Sequence, residues 1–123
     1  MTKGSILVAI VDDDRRLLES LRELLESAGY SVRLFSSALA LLASPDLPAV
    51  DCLVADVEMP VMDGFELQKR LSDLRPDLPV ILMTGRRELI DRHRGIFRKP
   101  FEGQALLTAI SRSLQPPPEE ESR

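Results

Sequence analysis

The sequence predicts an α/β protein, a doubly wound five-stranded parallel sheet with helices on both faces. Short apolar runs alternate along the chain with segments whose leucines recur at helical spacing. Three of the runs are almost continuously apolar, as strands covered on both sides must be. The 123 residues, 44% hydrophobic and 29% charged, suit a single domain that buries its core without disulfide or metal staples.

The expected strands are SILVAIV (5–11), SVRLF (31–35), DCLVA (51–55), PVILM (79–83) and the weaker GIFR (95–98). The first helix, over 15–28, places Leu17, Leu18, Leu21, Leu24, Leu25 and Ala28 on one stripe, with Asp14 ahead as its N-cap and Gly29 as its stop. A short apolar helix over 37–43 ends at SPDLP. Over 64–74, Phe65, Leu67, Leu71 and Leu74 share a face, and Asp63 with Glu66 makes a start resembling a capping box. Residues 102–114 carry Leu106, Leu107, Ile110 and Leu114. Between the fourth and fifth strands GRRELIDRHRG offers only Leu89 and Ile90, so the fourth helix is expected to be shortened or irregular. Residues 1–115 then form the domain, and the Pro/Glu-rich 116–123 form a tail or the start of a linker.

Composition narrows the function. A net charge of −4 gives no reason to expect nucleic-acid binding, and no apolar run is long enough to span a membrane. The opening MTKG runs straight into a strand, so no signal peptide is expected. The lone Cys52 lies within an apolar strand and reads as a buried, inert thiol, which together point to the cytoplasm.

Ligands of such sheets bind beyond the carboxyl ends of the strands. There the first strand runs into Asp12, Asp13 and Asp14, the third into Asp56, the fourth into Thr84 and the fifth into Lys99-Pro100. Taken singly, each has an ordinary use as a cap, a turn acid, a strand-end threonine or a solvated lysine. Jointly they crowd carboxylates at one rim, which is unfavourable without positive charge among them. Hard oxygen donors suit Mg²⁺, and the single cysteine and histidine leave no zinc cluster. A carboxylate nucleophile, a hydroxyl, an ammonium and a hard cation together suit phosphoryl transfer.

Residues 5–114 resemble the receiver domain of two-component response regulators, whose sheet is flavodoxin-like. IVDDD is similar to the family's acidic pair at Asp12 and Asp13, and VADVEMPVMDGFEL to its phosphoacceptor segment at Asp56. ILMTG is similar to its strand-four end at Thr84 and Gly85, and RKPF to its lysine-proline step at Lys99 and Pro100. The resemblance implies phosphorylation of Asp56 by a sensor histidine kinase, with no activity beyond the domain's own phosphorylation and dephosphorylation. It implies Mg²⁺ held by Asp13, Asp56 and the backbone carbonyl of Glu58, with Asp12 positioning a coordinated water. It further implies that the amides of Val57 and Gly85 face the phosphoryl oxygens and that the Lys99-Pro100 bond is cis. Expected partners are the kinase, a C-terminal or separate effector domain (a DNA-binding output among them, outside this chain) and a second copy in a phosphorylation-linked homodimer.

The sequence departs from the family between Thr84 and Lys99, where only the fourteen residues Gly85 to Arg98 intervene. The position three before the lysine, aromatic in the family, is Ile96, and Phe97 follows on the opposite strand face. The usual aromatic switch is thereby put in question, and signalling through another surface, such as the first-helix side, becomes an expectation. Arg86, Arg87, Arg92 and Arg94 make this segment basic, readable as a solvated loop or as a docking patch for an acidic partner. Arg86 is also placed to reach Glu58 across the pocket mouth, and His93 reads as a surface residue.

Two further classes compete. One is a receiver-like protein-interaction module that works without phosphorylation, against which the intact Asp12, Asp13, Asp56, Thr84 and Lys99 argue. The other is an aspartate-nucleophile phosphohydrolase of external substrates, whose nucleophile would follow the first strand rather than the third.

Overall fold

The computed structural model describes residues 5–93, 95–99 and 102–115. In chain order these form β1 (Leu7–Val11), α1 (Arg15–Ser27), β2 (Ser31–Phe35), α2 (Ala38–Leu42), β3 (Cys52–Asp56), α3 (Gly64–Leu74), β4 (Val80–Thr84), α4 (Arg87–Arg92), β5 (Phe97–Arg98) and α5 (Gly103–Ser113). A single 3₁₀ turn over Leu47–Ala49, not expected from the sequence, precedes β3. All strand pairings are parallel, in the order β2-β1-β3-β4-β5.

Strand alternation sorts the apolar residues into two layers. Leu7, Ala9 and Val11 of β1, with Leu53 and Ala55 of β3, face Leu41 of α2 and Leu67 and Leu71 of α3. Val8 and Ile10, with Cys52 and Val54, face Leu18, Leu21 and Leu25 of α1 and Leu106 and Ile110 of α5. Every residue of β1 and β3 is buried, which is why both read as continuous apolar runs. The chain leaves β1 toward β2 and leaves β3 toward β4, so the loops after these neighbours diverge. The crevice they open is the topological switch point.

Local chemistry sets most boundaries. The Asp14 carboxylate accepts from the N–H groups of Arg16 and Leu17, capping α1, and Gly29 leaves it at φ +98°. Asp63 accepts from the Glu66 N–H at the start of α3. β3 and β4 each run one residue further than expected, so Asp56 and Thr84 are the last residues of their strands. β5 is two residues shorter than expected: Gly95, at φ +81°, cannot belong to a strand, and pairing with β4 begins only at Phe97. α4 has six residues and none of them is buried, consistent with a shortened crossover. The tail 116–123 and Pro100 lie outside the described residues.

One buttress is invisible to pattern reading. Arg75, just past α3, donates from Nη1 to the carbonyls of Leu47 (2.8 Å) and Val50 (3.0 Å). It thereby ties the 3₁₀ turn to the helix that follows β3.

Candidate functional site

The switch-point crevice collects carboxylates from two strands. Asp12 follows β1 and is fully buried, Asp13 beside it is exposed, and Asp56 ends β3 at 3% exposure. One carboxylate oxygen from each of the three lies within 4.8 Å of the others. The pairing of Thr84 with Arg98, followed by a Lys99 N–H bond to the Thr84 carbonyl (2.8 Å), delivers the lysine to the same place. Its Nζ stands 2.8 Å from Asp12 Oδ2 and 3.1 Å from Asp56 Oδ1.

The two acids are used differently. Both oxygens of Asp12 are engaged, Oδ1 by the Asp14 N–H at 2.8 Å and Oδ2 by Lys99. Among the described residues, buried Asp56 Oδ1 has the Lys99 ammonium 3.1 Å away as an ion-pair partner and receives no well-aligned hydrogen bond. Burial pushes the Asp56 carboxyl up to about 6, the Asp12 charge adds to this, and Lys99 opposes it. Burial pulls Lys99 down, but Asp12 and Asp56 together hold it above the ordinary lysine value. The lysine is therefore charged and the aspartate is a poorly solvated base.

This donor set fits a hard divalent cation. Among the described residues it gathers three carboxylates, and it includes a buried oxygen that receives no well-aligned hydrogen bond. A cation there would also relieve the repulsion between Asp12 and Asp56.

The rest of the rim corrects several expectations. The Thr84 hydroxyl, fully buried, is bound to the Glu58 side chain, at 2.7 Å from Oε2 and 2.9 Å from Oε1, and accepts the Arg86 N–H at 3.0 Å. The sequence assigns Glu58 a role through its carbonyl and a side-chain partner in Arg86, but not this contact with Thr84; a carboxylate two residues past Asp56, near a strand-end hydroxyl, is the available signal. Arg86 does not reach Glu58. Its guanidinium pairs with Glu88, two residues away, at 2.7 Å. The Val57 N–H is spent on the Met83 carbonyl at 2.9 Å, because the β3–β4 ladder continues past Asp56, so it is not turned toward the carboxylate. A Cβ on Gly85 would meet nothing within 4 Å, so protein packing does not demand a small residue there.

Ile96, like Leu89 and Phe65, packs against the core on the α3 layer, while Phe97 packs on the α1/α5 layer. The two thus occupy opposite faces, as alternation requires. His93 is exposed, its ring 4.7 Å from that of Phe65. Cys52 is buried, and burial pushes its thiol up, away from the reactive thiolate.

A doubly wound sheet presenting an acidic trio, a hydroxyl and a lysine at its switch point defines a phosphoacceptor signalling module. Residues 8–111 match the response regulator receiver domain family, and the chain belongs to it. The response regulator protein TodT of Pseudomonas putida is 35% identical across 99% of this chain and 57% of its own length. The transcriptional regulatory protein FixJ of Bradyrhizobium diazoefficiens is 38% identical across 93% of this chain and 58% of its own. The chain thus spans little more than half the length of these relatives. Among solved structures, the chemotaxis protein CheY4 of Vibrio cholerae superposes with a TM-score of 0.78 at 28% identity, covering 90% of this chain and all of that one. A receiver domain protein of Methanospirillum hungatei gives 0.79 at 29% identity over 90% of this chain and 94% of its own. Membership in this family makes the chain a signalling domain rather than an enzyme of external substrates.

Proposed function

We propose that Asp56 takes a phosphoryl group from the phosphohistidine of a sensor histidine kinase, in the cytoplasm, and that the modified domain changes its association with a partner domain or a second copy. The buried Asp56 Oδ1, 3.1 Å from the Lys99 ammonium and without a well-aligned hydrogen bond among the described residues, carries this reading. An oxygen of Asp56 attacks phosphorus in line while the P–N bond breaks and its electron pair returns to the imidazole, which takes a proton from solvent. Lys99 balances negative charge on the equatorial oxygens, and Thr84 supplies a hydrogen bond to one of them. Asp13, Asp56 and the Glu58 carbonyl would hold Mg²⁺. The bonds that occupy both oxygens of Asp12 suit it to an outer role, holding a coordinated water. When bound, the ion supplies charge neutralisation at the transferred group. The same site, with water as the acceptor, would return the aspartate to its free form.

Residues 1–115 constitute the receiver in this reading, and 116–123 lead toward an effector domain of the kind that the additional length of the relatives allows. No nucleic-acid binding is assigned to this domain itself. Incubation with acetyl phosphate and Mg²⁺, followed by intact-mass measurement, tests the reading. One added phosphoryl group is expected, absent in Asp56→Asn and absent without the metal. No uptake under any condition would instead favour an interaction module that works without phosphorylation.

A further inference from the structure

The Thr84 hydroxyl is already committed in the unmodified domain. It has one hydrogen to give, and the two Glu58 oxygens at 2.7 and 2.9 Å share it, while its lone pairs receive the Arg86 N–H. A hydrogen bond to a carboxylate is stronger than one to a neutral acceptor, and the hydroxyl is fully buried, so water does not compete for it. Glu58 therefore stands as a competitor for the donor that a phosphoryl oxygen on Asp56 would need.

The carboxylate also has somewhere to go. Glu58 lines a cleft of about 540 Å³ together with Met59, Asp63, Phe65, Arg86 and Leu89. Arg86 supplies positive charge within that cleft; its guanidinium is held charged first by Glu88, with which it pairs, and to a lesser degree by the nearby Glu58. Releasing Thr84 thus exposes Glu58 to solvent and to a cation, and does not strand it in an apolar interior.

We propose that the Glu58 carboxylate is a latch on Thr84, a positioning residue that holds the hydroxyl away from the phosphoryl-accepting geometry and so lowers the ease with which Asp56 is modified. The proposal rests on Asp56 being the phosphoacceptor. On phosphoryl transfer the Thr84 O–H passes from Glu58 to a phosphoryl oxygen, and Glu58 turns into the cleft toward Arg86. No covalent bond changes in this exchange, so its whole effect is on the balance between the two states. Glu58 thereby sets the threshold of the site.

The test compares initial rates of phosphoryl uptake from acetyl phosphate with Mg²⁺ in the 123-residue chain and four variants. Glu58→Ala is expected to raise the rate roughly tenfold, the worth of one charge-assisted hydrogen bond. Glu58→Gln, which retains an uncharged acceptor, is expected between the two. Thr84→Ala slows uptake, and in that background Glu58→Ala is expected to add less than about twofold, because the latch has nothing to hold. An equal gain in both backgrounds would mean that Glu58 acts only by repelling the anionic donor, and would overturn the latch. So would no gain, or a loss, in Glu58→Ala. Either result with Asp56 still modified leaves the phosphoacceptor reading standing; failure of the parent chain to take up any phosphoryl group overturns both.

Discussion

Gly64 approaches Asp56 so closely that a Cβ on the glycine would stand 2.6 Å from the Asp56 carbonyl oxygen and 2.9 Å from the Val57 Cα. The approach is fixed by the Gly64 N–H, which donates to the Val57 carbonyl at 2.9 Å. The start of α3 is thus seated directly on the end of β3. Both atoms met are backbone, so neither can rotate aside. Gly64→Ala is expected to cost about 1–3 kcal/mol in urea unfolding. It should also slow phosphoryl uptake far more than the stability loss explains, since displacing a nucleophile by a fraction of an ångström is kinetically expensive. A variant as stable and as reactive as the parent would remove Gly64 from this role.

Asp56 carries a stability cost at neutral pH. Its carboxyl titrates at about 6 when folded, against 3.8 ordinarily, so between these values the native state binds more protons than the unfolded one. Stability from this group is therefore complete below pH 3.8 and is lost as pH rises through 6. Asp56→Asn is expected to stabilise the metal-free domain by about 2 kcal/mol at pH 7.5. The gain should shrink as pH falls from 6 toward 4. Urea melts at pH 7.5 and 4.5 decide it; a gain of equal size at both would point to packing and not to charge.

Cation binding should be visible without any phosphodonor. With free Mg²⁺ at tenfold its Kd, the domain is expected to gain about 1.4 kcal/mol. Asp13 is exposed, so Asp13→Asn should leave the metal-free stability within about 0.5 kcal/mol while abolishing the Mg²⁺-dependent gain. Retention of the full gain in that variant would take Asp13 out of the donor set.

Arg75 serves the fold alone. Its Nη1 satisfies the carbonyls of Leu47 and Val50, and Arg75→Ala leaves both without that donor. A loss of about 1–3 kcal/mol is expected by urea unfolding, with the rate of phosphoryl uptake unchanged at temperatures where the variant is folded.

Val61 sits at φ +72° with its side chain 91% exposed. A β-branched residue is poorly suited to the left-handed region, and here it buries little surface in return. Val61→Asn, which tolerates that backbone, is expected to raise stability by about 1 kcal/mol. A lower midpoint in urea would show that Val61 is held by contacts that the asparagine lacks.

Much of this architecture is legible because it rests on local chemistry. The buried runs of β1 and β3, the caps Asp14 and Asp63 and the gathering of Asp12, Asp13, Asp56 and Lys99 at one rim all follow from residue type and strand order. What is not legible depends on rotamers and on contacts distant in sequence. The Arg75 clamp spans 25 and 28 positions, and nothing in its own neighbourhood announces it. The Glu58 side-chain contact with Thr84 depends on a rotamer, and the short Arg86–Glu88 pair wins over the longer reach to Glu58 because it closes across a single intervening residue. The start of β5 could have been read, since Gly95 marks the φ that interrupts the strand.

Lys99 extends from the least anchored part of the sheet. Among the described residues its strand pairs only through Met83 with Phe97 and Thr84 with Arg98, with the Lys99 N–H adding one bond to the Thr84 carbonyl. The strand lies on an outer edge beside a helix that buries none of its residues. Segments so thinly tied open far more readily than the whole molecule unfolds. Amide protons from Phe97 to Lys99 should therefore exchange with solvent deuterium well before those of Val8 or Val54, through excursions that leave β1 and β3 intact. The lysine that neutralises Asp12 and Asp56 can then depart and return while the carboxylates stay in register. Renewing the site requires only a local fluctuation at its edge.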